Sequence, residues 1–207
     1  MEIIRIKESG VHAAATKAAV VLRSGGIILY PTDTLYGLGV DASNKDALLK
    51  LYALKKRSIF KTALIAVPTI SSIEEYGHMT GNARVLADRF LPGALTLVLK
   101  AKEGILQEIV RDDGTVGIRM PNDPFCLVLN KVFDSSYTST SANISEYPTA
   151  PSVEEILTQF GEHAALIDLV IDDGPRAGGI PSTIVSCVGD EVTILRDGAL
   201  SREILGL

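Results

Sequence analysis

The amino-acid sequence predicts an α/β domain built on a mixed β-sheet flanked by helices. Short apolar runs of strand length recur along the chain, such as ALIAV at 63–67 and LTLVL at 95–99. Segments with apolar residues at helical spacing separate many of these runs, an alternation typical of the α/β class. Hydrophobic residues form 46% of the 207 residues, and no Pro/Ser-rich run, charge block or internal repeat interrupts them. We therefore expect one domain over residues 1–207.

The first elements follow from helix and strand patterns near the N-terminus. Residues 2–6 are predicted to form an edge strand, and 11–23 an amphipathic helix that stops at a pair of glycines, 25–26. A buried strand is expected at 27–30. Ser43 with Asp46 three residues later resembles a capping box, so a helix is predicted from there to the basic run that begins at residue 55.

The later elements are predicted in the same way. Pro124 suits the first turn of a helix that runs to about residue 132. Ser152 with Glu155 forms a second capping-box pattern. Further strands are predicted where β-branched and apolar residues cluster: at 63–67, 95–99, 116–120, 136–140, 167–172, 182–186 and 191–196.

Composition excludes several classes of protein. The formal net charge is -5, which disfavours charge-driven, non-specific binding to nucleic acid. The longest apolar runs fall far short of the roughly 20 residues that span a bilayer, and the N-terminus has no pattern of an export signal. Cys126 and Cys187 lack the CxxC spacing of metal or redox motifs and are expected to be buried. We therefore predict a cytoplasmic protein.

Familiar catalytic motifs are missing from the sequence. It contains no GxxxxGK[ST] phosphate loop, no HExxH metal motif and no GxSxG serine. Gly37, Gly39 and Ala42 match GxGxxA, but the preceding strand ends too early, and lysines stand where a ribose-binding acid is required. The three histidines lie in unrelated contexts, so no metal site is predicted.

Polar segments bounded by Gly and Pro instead stand where predicted strands end, the place where open α/β sheets bind ligands. Each segment also has a structural interpretation: a polar turn, a solvated helix end, or, for Arg119, a structural carboxylate partner instead of an anionic ligand. The segments are PTDTLYGLG at 31–39, KKRSIFK at 55–61, TVGIRMP at 115–121, TSTSANISEYPT at 138–149, GGIPSTIVS at 178–186 and ILRDG at 194–198.

Taken together, the order and spacing of PTDTLYGLG, KxR, PGALT, GIRMP, STSAN, PSTIV and LRDG resemble the YrdC-like threonylcarbamoyl-AMP synthase family, over residues 4–199. This resemblance implies a twisted mixed sheet with a wide, concave and basic cleft. It also implies an enzyme that joins L-threonine, bicarbonate and ATP into threonylcarbamoyl-adenylate and pyrophosphate. That product supplies the threonylcarbamoyladenosine modification of tRNA.

The resemblance also assigns roles to residues. The catalytic tetrad of the family falls on Lys55, Arg57, Ser141 and Asn143. Positions that hold threonine in relatives are Thr34, Arg119, Ser139 and Ser182. Positions around ATP are Arg57, Lys61, Thr115, Ser141, Asn143, Thr149 and Arg196. Mg²⁺ is expected to arrive with ATP, because no dedicated carboxylate cage is evident, and residues 55–62 are the candidate lid.

The sequence departs from the family pattern at two positions. Ala66 stands where a histidine of longer relatives contacts threonine, and Glu146 stands where glycine is usual. The chain stops soon after LRDGALS, as in the short form of the family.

Two other functions stay open at this point. The basic cleft of an RNA-binding module would take double-stranded RNA or tRNA, although the low pI of about 5.2 and the lack of aromatic stacking runs oppose it. A paralogue of the same fold would use another carbamoyl or adenylate substrate. Transient contact with tRNA or with the tRNA-modifying transferase complex is a further expectation.

Overall fold

The computed structural model describes residues 1–56, 62–176, 179–189 and 191–207. Eleven strands are found in these ranges: β1 Glu2–Arg5, β2 Ile28–Tyr30, β3 Gly37–Gly39, β4 Ile65–Ala66, β5 Leu95–Lys100, β6 Thr115–Arg119, β7 Tyr137–Thr138, β8 Thr140–Ser141, β9 Leu169–Asp172, β10 Thr183–Ser186 and β11 Thr193–Arg196. The α-helices there are α1 Ile6–Ser9, α2 Val11–Arg23, α3 Lys45–Leu54, α4 Ile73–Tyr76, α5 Gly81–Phe90, α6 Pro124–Phe133, α7 Val153–Phe160 and α8 Arg202–Leu205. Gln107–Ile109 and Gly161–Leu166 form 3-10 helices.

The described strands form two mixed sheets, which confirms the predicted α/β class and divides its strands between two layers. The first sheet has the order β1-β9-β2-β3-β8 and the second the order β11-β10-β5-β6-β4-β7. Both contain parallel and antiparallel pairs, for example β2 with β9 and β2 with β3. The segment predicted as one strand at 136–140 passes from one sheet to the other: β7 pairs with β4, and β8 pairs with β3. Ser139 lies at the crossing point between the sheets.

The predicted cap of α3 needs a correction. Asn44, not Ser43, caps α3: its side-chain oxygen accepts the backbone N–H of Ala47 at 3.0 Å, while Ser43 donates its hydroxyl to Asp41 at 2.7 Å. The cap therefore lies one residue later than predicted, since Asn serves at this position as well as Ser does.

The other two helix starts agree with the sequence. Ser152 accepts the backbone N–H of Glu155 at 3.3 Å and caps α7. Pro124 is the first residue of α6, after the cap Asp123.

Two apolar clusters form the core. In the smaller one, α2 packs its alanine face against α6 and the first sheet, where Tyr30 and Phe125 have ring centroids 6.0 Å apart. The larger cluster contains residues of both sheets, such as Leu38 and Ile118, and the inner face of α3. Both cysteines are buried, as predicted. None of the helices in the described ranges is long and apolar enough to cross a membrane.

Candidate active site

A cavity of about 160 Å³ lies where the two sheets meet. Its walls come from the loop before β3, the end of β6, the crossing segment between β7 and β8, and the starts and ends of β10 and β11. Six of the residues predicted to bind substrates line it: Thr34, Arg119, Ser139, Ser141, Ser182 and Arg196. The structure thus brings together residues that lie up to 162 positions apart in the sequence.

The loop that carries Thr34 is held by a hydrogen-bonded turn around Thr32. The Thr32 hydroxyl oxygen accepts the backbone N–H of Thr34 at 3.2 Å and of Leu35 at 3.3 Å. The same hydroxyl lies 2.6 Å from the Leu35 carbonyl oxygen, to which it donates. Ser and Thr side chains commonly build such turns. As a result the Thr34 hydroxyl is fixed in the cavity wall and is nearly buried.

Arg119 ends β6 in the cavity wall and has both an internal partner and a spare donor. Its Nη2 lies 2.6 Å from the Asp33 carboxylate, and its Nη1 lies 3.4 Å from the Thr34 hydroxyl. Its Nε is buried and finds no acceptor in the described part of the chain. A buried N–H without a partner is costly. The guanidinium group lines the cavity, where its positive charge attracts an anionic ligand.

A second guanidinium, that of Arg196, also lines the cavity, from β11 of the same sheet. It donates to the Ser182 carbonyl oxygen at 2.7 Å and to the Ser182 hydroxyl at 3.3 Å. Burial, and then the positive charge of Arg119, lower the pKa of Arg196. The Ser182 hydroxyl is also 2.8 Å from that of Thr96. Among the described residues that line the cavity there are two guanidiniums and no carboxylate, an arrangement that favours an anionic ligand.

Lys55 and Asn143 lie beside the cavity without lining it. The Lys55 side chain is buried, and its Nζ donates to the Ser141 carbonyl oxygen, to the Asn143 carbonyl oxygen at 2.9 Å and to Asn143 Oδ1 at 3.3 Å. Ser141 itself is exposed at the cavity rim. Three members of the predicted tetrad are therefore in mutual contact, and Ser141 is the member that faces the cavity.

Of the remaining predicted residues, the two that the structure describes, Thr115 and Thr149, do not line the cavity. Thr115 begins β6, about 13 Å from Arg119 at the usual rise of roughly 3.3 Å per residue, and its hydroxyl donates to Asp113 at 2.5 Å, which lowers the pKa of that carboxyl. Thr149 is partly buried outside the cavity lining. Arg57 and Lys61, with most of the candidate lid, fall outside the described residues.

The two departures from the family pattern have structural consequences. Ala66 is buried in the smaller core cluster and does not line the cavity. Glu146 has φ of 74°, in the left-handed region that favours glycine, so its backbone adopts a conformation suited to the usual residue.

Sequence reasoning did not single out Asp33, although the residue stands inside the PTDT motif. Its importance comes from a contact with Arg119, 86 positions away, which the local pattern does not encode. It also missed the apolar part of the wall, formed by Leu64, Pro181 and Ile184. Within the described ranges, no group of three or more His, Cys, Asp or Glu side chains is arranged to hold a metal ion.

Comparisons with known proteins agree with this architecture. The model of the Sua5/YciO/YrdC family, described as "Telomere recombination", matches residues 20–198. The chain is 35% identical over 189 residues to the threonylcarbamoyl-AMP synthase of Bacillus subtilis, covering 90% of this chain and 54% of that protein.

Solved structures are also similar. The crystal structure of P. abyssi Sua5 complexed with L-threonine matches with a TM-score of 0.86 and 30% identity, over 98% of this chain and 58% of that one. The E. coli YciO structure shares the fold at 23% identity, with a TM-score of 0.80 over 95% of its length. The chain thus spans little more than half of the B. subtilis and P. abyssi proteins.

Proposed function

The chain belongs to the Sua5/YciO/YrdC family, and we propose that it is an L-threonylcarbamoyladenylate synthase. It would condense L-threonine, bicarbonate and ATP to threonylcarbamoyl-AMP and pyrophosphate, for the threonylcarbamoyladenosine modification of tRNA. The observation that carries the proposal is a cavity of amino-acid size with two guanidiniums in its wall.

The size of the cavity supports its use as the site of the amino acid. A cavity of about 150 Å³ binds benzene, whereas pockets for larger ligands measure about 300–1,000 Å³. At about 160 Å³, this cavity has the size of a small amino acid. Thr34, Arg119, Ser139 and Ser182 are then the residues that face L-threonine. The guanidinium of Arg119, in the cavity wall, would pair with the threonine carboxylate or with the carbamate.

The nucleotide would occupy the open side of the cavity, beyond the rim. Ser141 and Arg196 are the predicted ATP-binding residues that reach this boundary. Arg57, Lys61 and Thr149, which are also predicted to bind ATP, would extend the site outward. Mg²⁺ would enter with the triphosphate as part of the substrate.

The reaction needs alignment of anions more than a covalent nucleophile. The threonine amine adds to bicarbonate, forming an N–C bond and releasing water, and gives a carbamate. A carbamate oxygen then attacks the α-phosphorus; the new P–O bond forms as the bond to the β-phosphate oxygen breaks, and pyrophosphate leaves. Arg119 and Arg196 would lower the barrier by neutralising the charges that approach each other and by orienting the carbamate.

The proposal places the reaction in the cytoplasm, where ATP and tRNA are both present. Transfer of the product would involve transient contact with tRNA or with the tRNA-modifying transferase complex. Threonylcarbamoyl-AMP is a labile mixed anhydride, so direct transfer from this enzyme to the transferase complex would limit its exposure to water.

Pyrophosphate release from ATP and Mg²⁺ tests the function directly. We expect release in the complete mixture and none when either L-threonine or bicarbonate is omitted. An Arg119→Ala variant should lose the threonine-dependent release. Because it also breaks the buried pair with Asp33, its activity is measured at a temperature where circular dichroism shows it folded. If the folded wild-type protein releases no pyrophosphate, the synthase assignment is wrong. A screen of other amines and carbamoyl donors would then test whether the protein is a paralogue with another substrate. Salt-dependent binding to tRNA would test whether it is an RNA-binding module.

A further inference from the structure

Hydrogen bonds from Lys55 and from Gln159 hold the polar loop 141–148 beside the cavity. The backbone carbonyl of Lys55 accepts the N–H of Ser145 at 3.0 Å, while its ammonium reaches three oxygens of Ser141 and Asn143. On the far side, Gln159 of α7 accepts the N–H of Ile144 at 3.1 Å and donates to the Pro148 carbonyl oxygen at 3.0 Å. The loop is therefore held between α3 and α7.

The orientation of the Asn143 amide is fixed by its neighbours. Its Nδ2 donates to the carbonyl oxygens of Ile144, at 3.0 Å, and Tyr147, at 2.5 Å, and carbonyl oxygens can only accept. Its Oδ1 faces the Lys55 ammonium, which can only donate. The amide cannot be turned over without losing all three hydrogen bonds.

This fixed amide decides the direction of the hydrogen bond from Ser141. Because Asn143 Oδ1 is an acceptor, the Ser141 hydroxyl must be the donor in their contact. Its proton is committed to Asn143, and the lone pairs of Oγ remain available at the cavity rim to a hydrogen-bond donor on the ligand. Both Nδ2 protons and both Oδ1 lone pairs of Asn143 are occupied within the protein.

The ammonium of Lys55 is committed in the same way. A lysine ammonium has three N–H groups, and three loop oxygens lie in contact with this one. A buried ammonium is tolerated only when such oxygens replace its lost water. Moving it to a phosphate would break the contacts that hold the loop.

We propose that Lys55 and Asn143 are positioning residues that act through Ser141, rather than residues that touch the substrates. This inference rests on the proposed function and assigns different tasks to members of the predicted tetrad. Lys55 fixes the loop, Asn143 fixes the hydroxyl, and Ser141 alone of these three meets the ligand.

A double-mutant cycle of Lys55→Met and Ser141→Ala tests the proposal. Ser141→Ala removes the hydroxyl and keeps the carbonyl that Lys55 binds, so the two effects can be separated. If Lys55 acts through Ser141, kcat/KM of the double variant should lie within about threefold of that of the worse single variant. The reason is that the effects of mutations at residues in contact do not add. Lys50→Met, at an exposed lysine of the same helix, is the matched control and should leave kcat/KM unchanged.

Binding of each substrate separates positioning from direct contact. In the Ser141→Ala background, adding Lys55→Met should leave the Kd of ATP, measured by calorimetry, unchanged within about threefold. The proposal would be overturned if the losses in kcat/KM of the two single variants multiplied in the double variant. It would also be overturned if Lys55→Met lowered ATP affinity a further tenfold or more, since Lys55 would then contact the nucleotide.

Hydrogen exchange gives a measurement that does not depend on activity. Peptides that cover 141–148 should exchange faster in Lys55→Met than in the wild type, and at the wild-type rate in Ser141→Ala. If Lys55→Met does not fold, Asn143→Ala replaces it in both the cycle and the exchange experiment. Unchanged exchange in a folded Lys55→Met would refute the positioning role, whereas missing pyrophosphate release by the wild type would refute the function alone.

Discussion

Replacing Asp33 by Asn should destabilise the protein strongly, although the two side chains have nearly the same shape. Asp33 is the carboxylate that pairs with the buried Arg119 at 2.6 Å, and the two side chains are only 12% and 6% exposed. Asparagine keeps an oxygen that can accept from Arg119 but removes the negative charge. The variant is then left with an uncompensated guanidinium whose positive charge also acts on Arg196.

The size of the effect follows from the burial of the pair. Removing one partner of a buried ion pair costs about 3–5 kcal/mol, because the other charge stays desolvated. The retained hydrogen bond places the expected loss of unfolding free energy at the lower end, about 3 kcal/mol. In a protein of this length, 1 kcal/mol shifts the melting temperature by roughly 2–4 °C, so we expect a decrease of about 6–12 °C.

Thermal and urea unfolding, followed by circular dichroism, measure this loss. The matched control is Glu74→Gln, which makes the same kind of change in an ion pair with Arg84 whose side chains are 50% and 42% exposed. Exposed pairs contribute roughly 0–1 kcal/mol, so the control should shift the melting temperature by less than about 4 °C. Equal shifts in the two variants would refute the reasoning that Asp33 neutralises a buried charge.

Three further changes give distinct expectations. Gly198→Ala should abolish L-threonine binding, measured by calorimetry, since its Cβ would lie 2.4 Å from a backbone oxygen of the cavity wall; Gly81→Ala, with nothing within 4 Å, is the neutral control. Cys126 and Cys187 should resist iodoacetamide at pH 8 until the protein unfolds, as judged by mass spectrometry. Burial raises the pKa of both thiols, that of Cys187 to about 11, so stability should fall as the pH rises from about 8.5 towards 11, where only the unfolded thiols ionise. Ser152→Ala should cost about 1 kcal/mol in urea unfolding through the lost helix cap, and no loss would show that the cap contributes nothing.

Much of the chain could be predicted because the signals are local. Strand-length apolar runs, the Pro124 start of α6 and the Ser152 cap of α7 are read within a few residues. The alternation of these elements was sufficient for the α/β class. The capping-box pattern pointed to Ser43 as the cap of α3, whereas the cap is Asn44, so this prediction missed by one residue.

The short strand β3 shows where local signals end. Its sequence, GLG, has two glycines and is not among the predicted strands. It forms a strand because β2 and β8 pair with it on either side. A Cβ at Gly39 would lie 2.9 Å from the Tyr30 ring, so the lack of a side chain is what allows the close approach.

For the site, local sequence patterns were enough to locate the segments that carry it: the polar runs at strand ends that contain Thr34, Arg119, Ser141 and Ser182. The contacts of each residue there depend on how distant segments pack together. The passage of 137–141 from one sheet to the other builds the cavity, and contacts across more than 80 positions pair Arg119 with Asp33 and tie Lys55 to the loop after β8. The physical reason is that a side chain's type and its local pattern fix what it can donate or accept, whereas packing between distant segments fixes which partner it meets.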